Sequence, residues 1–196
     1  VDGAHSFAHL DFKFADLDCD FFGTSLHKWL YAPHGTGLLY VRKDKIDSIW
    51  PLMAAPATLD NDIRKFEEIG THPAANTLAI GEALTFHQGI GARRKQERMY
   101  YLRECWTKRL AKQDRVHFNT NLDRRFSIGI ANVRVEGLDT GKLQAHLWNR
   151  HRIWTVGIDH PEFNGLRITP SVHNTLEELE RFCEAVEAAI ANGIPA

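Results

Sequence analysis

A single lysine between two short apolar runs is the feature that most constrains this chain. The segment Ser25–Leu30 reads Ser-Leu-His-Lys-Trp-Leu, so Lys28 stands between a histidine and a tryptophan. Phe21-Phe22 precedes the segment, and a glycine-rich turn leads from it to the apolar run Gly37–Val41. We expect both runs to be buried strands of an α/β fold. A lysine buried between them would have a lowered pKa and a nucleophilic amine, whereas a lysine in an exposed surface loop would not.

Composition and charge exclude several classes of function. The 196 residues are 43% hydrophobic and 25% charged, with a formal net charge of −1. There is no basic excess that would predict a nucleic-acid partner, and no apolar run approaches the roughly 18 residues of a membrane span. The cysteines Cys19, Cys105 and Cys183 form no paired motif. We therefore expect a reducing, cytoplasmic environment and no disulfide framework.

The first residues combine a carboxylate with two histidines. Val1-Asp2 reads as the end of a strand, and open α/β sheets bind their ligands at the carboxyl ends of strands. Asp2 is therefore either a site carboxylate or the acid of an Asx turn. His5 and His9 have the i, i+4 spacing of a zinc pair on a helix. A third ligand at metal spacing is missing, so we expect no metal site.

Hydrophobic periodicity predicts the remaining elements. The clearest helix is 92–112, where Met99, Leu102, Trp106 and Leu110 recur every three or four residues and basic residues, including Lys95, occupy the other faces. The run that begins at Arg93 indicates either a solvated helix face or an anionic partner, and we favour the solvated face. Further elements are strands at 19–22, 37–41, 125–135, 153–156 and 165–169, helices at 74–86 and from Asp139 or Thr140, a loop at 66–73, and a last helix opened by the capping box Thr175–Glu178 and ended by Gly193 and Pro195.

The order of these elements predicts two domains. After residue 112 the chain reads strand, helix, strand, strand, helix, which is typical of a small α+β domain. The long helix that begins at Ala92 would join it to the preceding part. We therefore divide the chain into residues 1–91 and 92–196.

Five segments, taken in order, resemble the class V aminotransferases. They are Val1–His5, Ser25–Leu30, Gly35–Arg42, Glu67–Pro73 and Leu166–Leu179, so the resemblance covers essentially the whole chain. The family consists of fold-type I enzymes that use pyridoxal 5'-phosphate (PLP), and the branch that includes isopenicillin N epimerase and the cysteine desulfurases is the most similar. The resemblance implies that 1–91 is the C-terminal part of the PLP-binding large domain and 92–196 the small C-terminal domain.

The resemblance also implies roles around the cofactor ring. Lys28 would form the Schiff base with PLP and would shuttle the Cα proton of an amino-acid substrate. Asp2 would keep the pyridine nitrogen protonated, which PLP needs in order to act as an electron sink. His5 matches a position where the family has a Gln or His near the phenolic oxygen of the ring.

Four further residues match positions that bind the phosphate or the substrate. Ser25 and His27 would hydrogen-bond the cofactor phosphate. Thr71 would reach the phosphate of the neighbouring subunit in a homodimer. Arg167 would hold the substrate's α-carboxylate with its planar bidentate fork; on the residues alone it reads equally well as a surface arginine at a strand edge.

Two departures from the family pattern restrict which of the family's functions we expect for this chain. The family's cysteine desulfurases carry a nucleophilic Cys shortly before the carboxylate-binding arginine, but the span from Arg152 to Leu166 contains no Cys. Desulfuration through a persulfide is therefore disfavoured. The chain also lacks the family's N-terminal half, which supplies the residue that stacks on the PLP ring, so we expect a portion of a longer polypeptide.

These observations leave two functions open. The first is a PLP enzyme that acts on an amino acid, as an epimerase, an aminotransferase or a lyase. The second is a catalytically silent module that serves only dimerisation or interaction. In the second case the missing half of the sheet should expose apolar strand residues at Val1, Phe21-Phe22 and Leu38-Leu39.

Overall fold

The chain forms two compact units, each built around its own sheet. The computed structural model describes residues 1–194, and Pro195, one of the two expected helix terminators, lies outside them. The units are Val1–Arg93 and Arg94–Ala196. Among the helices of the described part, none is long and apolar enough to cross a membrane.

A small mixed sheet lies at the centre of the first unit. Strand β1 (Phe21–Ser25) pairs antiparallel with strand β2 (Gly37–Val41). The N-terminal segment joins β1 in parallel, because the N–H of Gly3 donates to the carbonyl of Gly23 at 2.7 Å and the N–H of Gly23 donates to the carbonyl of Val1 at 3.1 Å. Parallel pairing brings the carboxyl ends of both segments to the same edge of the sheet.

Close packing against Phe22 fixes the N-terminal segment. Phe22 is fully buried, and a Cβ on Gly3 would lie 2.1 Å from its ring. The rings of Phe7, Phe12 and Phe14 surround it, with centroids 6.4, 6.4 and 5.4 Å away. Only glycine at position 3 therefore allows the segment to approach β1 this closely.

Strand β2 is less buried than its apolar sequence predicts. Leu38 is 42% exposed and Leu39 53% exposed, and within β2 only Val41 is buried. The expectation of two buried strands is therefore wrong for β2, because its outer edge pairs with no strand among residues 1–194. Val1 and Phe21 are also exposed, as expected of an incomplete sheet, but the exposure expected of Phe22 is wrong, since the phenylalanine cluster covers it.

The helical region of the first unit is interrupted. In place of one helix over 74–86, the chain forms helix α1 (Ala74–Leu78) and helix α2 (Ile80–Ile90), which Gly91 ends with a φ of 90°. The predicted loop begins later than expected, because a 3-10 helix covers Ile63–Glu67. Asp62 opens that 3-10 helix by accepting a hydrogen bond from the N–H of Arg64 at 2.9 Å.

Helices and a four-stranded antiparallel sheet make up the second unit. The strand order is β3-β4-β6-β5, and the core residues include Leu102, Trp106, Val133, Leu147 and Leu166. The elements are α3 (Ala92–Leu110), β3 (Val116–Phe118), β4 (Ala131–Val135), α4 (Thr140–His151), β5 (Val156–Asp159), β6 (Asn164–Ile168) and α5 (Leu176–Asn192).

Local sequence signals for the helices are confirmed. All four periodic residues of α3 are fully buried. The side chain of Asp139 caps α4 by accepting a hydrogen bond from the N–H of Lys142 at 2.8 Å. Thr175 and Glu178 form the reciprocal capping box of α5.

Strand boundaries differ more from the predictions. Strand β3 was not expected, and β4 begins only at Ala131. The predicted strand starts too early at 125, because that residue lies in a turn in which Asp123 accepts from the N–H of Arg125. Strands β1 and β5 begin two to three residues later than predicted. Lys95 is fully buried, so the basic run of α3 is not a uniformly solvated face.

Candidate functional site

A cleft lies at the edge of the first unit where two parallel segments end. Its volume is about 570 Å³. Asp2 ends the N-terminal segment and Ser25 ends β1, so the parallel pairing brings these two candidate residues to the same cleft. The lining residues are Val1, Asp2, Ala4, Gly23, Thr24 and Ser25.

The carboxylate of Asp2 is fixed and still available to a ligand. Its Oδ1 accepts a hydrogen bond from the N–H of Ala4 at 2.9 Å, which is an Asx turn. Its Oδ2 accepts no hydrogen bond from the residues that the structure describes, and the side chain is exposed. The two interpretations of Asp2 are therefore compatible, because one oxygen holds the turn and the other faces no protein donor.

Trp29 organises the two histidines of the N-terminal segment. Its indole Nε1–H donates a hydrogen bond to Nδ1 of His5 at 3.2 Å. The ring of His9 stacks on the indole, with centroids 3.8 Å apart and an interplanar angle of 8°. His9 Nδ1 donates to the carbonyl of His5 at 3.0 Å, because a carbonyl can only accept. Trp29, the residue after Lys28, therefore contacts the segment that carries Asp2 through the rings of both His5 and His9.

These contacts hold His5 and His9 within an aromatic cluster with Trp29. Both Nδ1 atoms are used within the cluster. Across residues 1–194, no group of three or more His, Cys, Asp or Glu side chains is arranged to hold a metal ion.

Lys28 lies in the turn that follows β1. The side chain is half-buried, between the buried neighbours Leu26 and Trp29, and the chain does not enclose it between two buried strands as expected. Its Nζ forms no hydrogen bond or ion pair with any described residue. The amine is therefore positioned by the turn, with no carboxylate of the described chain to hold it.

His27 presents a buried nitrogen that lacks a partner. Its Nδ1 is inaccessible to solvent and forms no hydrogen bond within the described chain. The ring lies 5.5 Å from that of His34, whose carbonyl accepts a hydrogen bond from the side chain of Asn76 at 3.2 Å. Helix α1 is thereby attached to the turn that carries the candidate residues.

Thr71 lies apart from the cleft. It stands in the exposed loop between the 3-10 helix and α1, and it is not among the residues that line the cleft. Its expected role across a subunit interface stays a prediction.

Arg167 belongs to the second unit and lies within its sheet. It stands on β6, between β4 and β5, opposite Asn132 and Val156. The sheet therefore excludes the alternative of an arginine on an edge strand. The flanking Leu166 and Ile168 are buried in the core, so Arg167 lies on the other face of the sheet. Its Nε is buried and has no acceptor among the described residues.

Sequence reasoning missed two residues of these sites. Trp29 stood beside Lys28 in the motif, but only the fold brings it to His5. Asn132 carried no signal, because its relation to Arg167 depends on the register between β4 and β6.

The cysteines do not lie at the cleft. Cys19 precedes β1 and so stands toward the opposite edge of the sheet from Ser25. Cys105 is half-buried in α3, and burial raises the pKa of the Cys183 thiol to about 11. A thiol with that pKa is a poor nucleophile near neutral pH.

Comparison with known proteins identifies the family. The family model described as aminotransferase class V matches residues 1–159. Isopenicillin N epimerase from Streptomyces clavuligerus is 29% identical over 96% of this chain and 52% of its own length. The same enzyme from Amycolatopsis lactamdurans is 31% identical over 95% of this chain and 51% of its own length. The chain thus spans about half the length of these curated relatives.

Solved structures agree with the fold. The apo cysteine desulfurase from Thermococcus onnurineus NA1 superposes with a TM-score of 0.86 and 25% identity, over 97% of this chain and 52% of that one. The cystine C–S lyase C-DES, solved as a variant with glycine covalently linked to its PLP cofactor, has a TM-score of 0.76 and 20% identity over 96% of this chain and 50% of its own. The chain has part of the fold-type I architecture.

The residues present suit PLP. The cofactor needs an amine, a carboxylate for its ring nitrogen and hydrogen-bonding groups for its phosphate. The first unit offers the unpaired amine of Lys28, the free Oδ2 of Asp2 and the buried Nδ1 of His27, which lacks a partner. With the family model covering most of its length, the chain belongs to the class V aminotransferases, a family of PLP-dependent enzymes.

Proposed function

We propose that this chain carries the cofactor lysine of a PLP enzyme acting on an amino acid, and that Lys28 is that lysine. The observation that carries the proposal is the parallel pairing of Val1–Asp2 with β1, which places Asp2 and Ser25 in one cleft while Lys28 follows in the next turn. When bound, PLP supplies an electron sink that acidifies the substrate's Cα–H.

Each candidate residue of the first unit would have a separate role around the cofactor. The Lys28 amine would hold the cofactor and would accept the Cα proton of the substrate. The carboxylate of Asp2 would keep a proton on the ring nitrogen. His5 would donate toward the phenolic oxygen, and Ser25 and His27 would donate to the phosphate.

Among the outcomes of Cα deprotonation, we place epimerisation first. The two epimerases are 29% and 31% identical over 96% and 95% of this chain. A probable cysteine desulfurase from Mycolicibacterium paratuberculosis is 28% identical over 98% of it, so similarity alone does not separate the two reactions. No Cys stands between Arg152 and Leu166 to accept sulfur. Return of the proton to the opposite face of Cα gives epimerisation. Transamination and β-elimination would each leave a different product from the same amino acid.

Chemical trapping tests the lysine. The protein is loaded with PLP, reduced with borohydride and digested, and we expect the peptide containing Lys28 to carry the reduced cofactor. Lys28→Ala should lose both the modification and the visible absorption band of lysine-bound PLP. The matched control is Lys13→Ala, which alters an exposed lysine of the same unit. Modification of a different lysine in the unaltered protein would refute the assignment.

Subunit hybrids test the proposed homodimer. If Thr71 reaches the partner's phosphate, a hybrid of Lys28→Ala and Thr71→Ala subunits contains one site with both residues intact. The purified hybrid should then bind about half as much lysine-linked cofactor as the unaltered dimer, because one of its two sites is intact. No lysine-linked cofactor in a proven hybrid would place Thr71 in the same subunit's site.

The second candidate function is a non-catalytic interaction module. The exposed apolar side chains of Leu38 and Leu39 favour it, since they lie on strand β2, whose outer edge pairs with no strand among residues 1–194. A PLP titration separates the two functions, because a saturable visible band supports the enzyme and its absence, with a folded protein by circular dichroism, supports the module.

A further inference from the structure

Asn132 and Arg167 stand directly opposite each other on neighbouring strands of the second unit. The N–H of Asn132 donates to Oγ1 of Thr120 at 2.8 Å, and its carbonyl accepts from the N–H of Asn119 at 3.1 Å. Both backbone groups therefore point toward β3 and away from β6. Asn132 and Arg167 form a non-hydrogen-bonded pair, the arrangement in which facing side chains lie closest.

A chain of hydrogen bonds fixes which way the Asn132 amide points. Nδ2 of Asn119 donates to the carbonyl of Asn164 at 2.8 Å, and since a carbonyl only accepts, this contact fixes the Asn119 amide. The same Nδ2 donates to Oδ1 of Asn132 at 2.6 Å. The amide nitrogen of Asn132 is therefore turned away from Asn119.

Gly165 leaves room for this arrangement. A Cβ at position 165 would lie 2.4 Å from Oδ1 of Asn132 and 2.6 Å from the carbonyl oxygen of Val133. The backbone of Gly165 also has a φ of 148°, a conformation that residues other than glycine rarely adopt. The Asn132 amide can therefore occupy this position only because residue 165 is a glycine.

Two neighbouring donors consequently lack acceptors. Nδ2 of Asn132 and Nε of Arg167 are both buried, and neither hydrogen-bonds to any described residue. Asn132 is only 7% exposed, and a buried donor without an acceptor is costly and uncommon. One donor is charged and the other neutral, and both lie on the same face of the sheet.

We infer that Asn132 and Arg167 together bind one carboxylate, that of an α-amino acid, with Asn132 as a second donor beside the guanidinium. A carboxylate has two coplanar oxygens, so it can accept from two neighbouring donors at once. Because both donor atoms are inaccessible to solvent, side chains must turn to admit it. Arg167 supplies the charge, and the fixed amide of Asn132 restricts the plane in which the carboxylate binds. This inference rests on the proposed function and on the role that the family resemblance implies for Arg167, namely holding the α-carboxylate of the substrate.

Two amine ligands, one with a carboxylate and one without, test whether Asn132 takes part in carboxylate binding. The PLP-loaded protein is titrated with glycine and with methylamine, and the change in the visible band gives each affinity. Asn132→Ala should weaken glycine about tenfold, as expected for a lost hydrogen bond to a charged group, and should leave methylamine unchanged. Asn132→Asp keeps the side-chain shape but places an anion beside Arg167, so it should weaken glycine further and again spare methylamine.

The outcomes distinguish this inference from the proposed function. The control Asn149→Ala removes an exposed amide on α4 and should change neither affinity. If the unaltered protein shows no PLP band, the proposed function fails. If it binds glycine no more tightly than methylamine, the carboxylate site itself is refuted. If the band forms and both Asn132 variants change the two affinities equally or not at all, Asn132 has no part in carboxylate binding.

Discussion

The indole N–H of Trp29 donates to Nδ1 of His5 at 3.2 Å, so the residue after Lys28 determines where a histidine carries its proton. An indole nitrogen can only donate, and Nδ1 must therefore be the unprotonated nitrogen of a neutral ring. The proton then resides on Nε2. This is the tautomer that the proposed donation from His5 to the phenolic oxygen of PLP requires.

Trp29→Phe should release the tautomer of His5. Phenylalanine keeps an aromatic face for His9 but removes the donor, so we expect a mixture of Nδ1–H and Nε2–H forms. Heteronuclear NMR of the imidazole nitrogens in the cofactor-free protein measures this directly. Trp50→Phe is the control, because Trp50 is 92% exposed and should leave the His5 signals unchanged. An Nδ1–H tautomer in the unaltered protein would contradict the hydrogen bond.

Gly165→Ala should destabilise the second unit. The new Cβ would meet Oδ1 of Asn132 at 2.4 Å and the backbone oxygen of Val133 at 2.6 Å, and the backbone oxygen cannot move without disturbing the pairing of β4 with β6. We expect a loss of about 2 kcal/mol or more in the free energy of unfolding, measured by urea denaturation.

Gly81→Ala is a control for which we expect the free energy of unfolding to stay the same or to increase. No atom lies within 4 Å of a Cβ at this position of α2. Alanine is favoured over glycine in a helix by about 1 kcal/mol, so this variant should be as stable as the parent or more so. Equal stability of the Gly165→Ala and Gly81→Ala variants would mean that the sheet tolerates a side chain beside Asn132.

Local sequence signals were enough to predict the helices of the second unit. The capping box of Thr175 and Glu178 and the cap at Asp139 depend on neighbours in the chain, and the stripe of α3 depends on a spacing of three and four residues. Such interactions are complete within one element and so can be read from the sequence. The same reasoning failed for β3, because three residues with one half-buried face give too short a pattern.

The sites depended on contacts between distant segments and were only partly predictable. The motif around Lys28 and its resemblance to a family identified the candidate residues. The pairing of Asp2 with Gly23, the donation from Trp29 to His5 and the register of Asn132 with Arg167 join residues far apart in the sequence. No local sequence pattern predicts these contacts, so they were found only in the structure.

Lys95 should make stability rise with pH in the alkaline range. The side chain is fully buried in α3, and desolvation lowers its pKa from 10.5 to about 8. Between these values the unfolded chain binds the proton and the native chain does not, so the free energy of unfolding increases with pH. Below pH 8 both states are protonated, so the stability that the lowered pKa adds at high pH, about 3 kcal/mol, is absent there.

Lys95→Met tests this by removing the charge at similar volume. We expect the stability of the variant relative to the parent to fall by up to about 3 kcal/mol between pH 8 and pH 10.5, because only the parent gains stability over this range. Urea denaturation of both proteins across this range gives the difference, and Lys112→Met, at an exposed position, should show no trend. A stability difference between the two proteins that is the same at every pH would contradict the lowered pKa of Lys95.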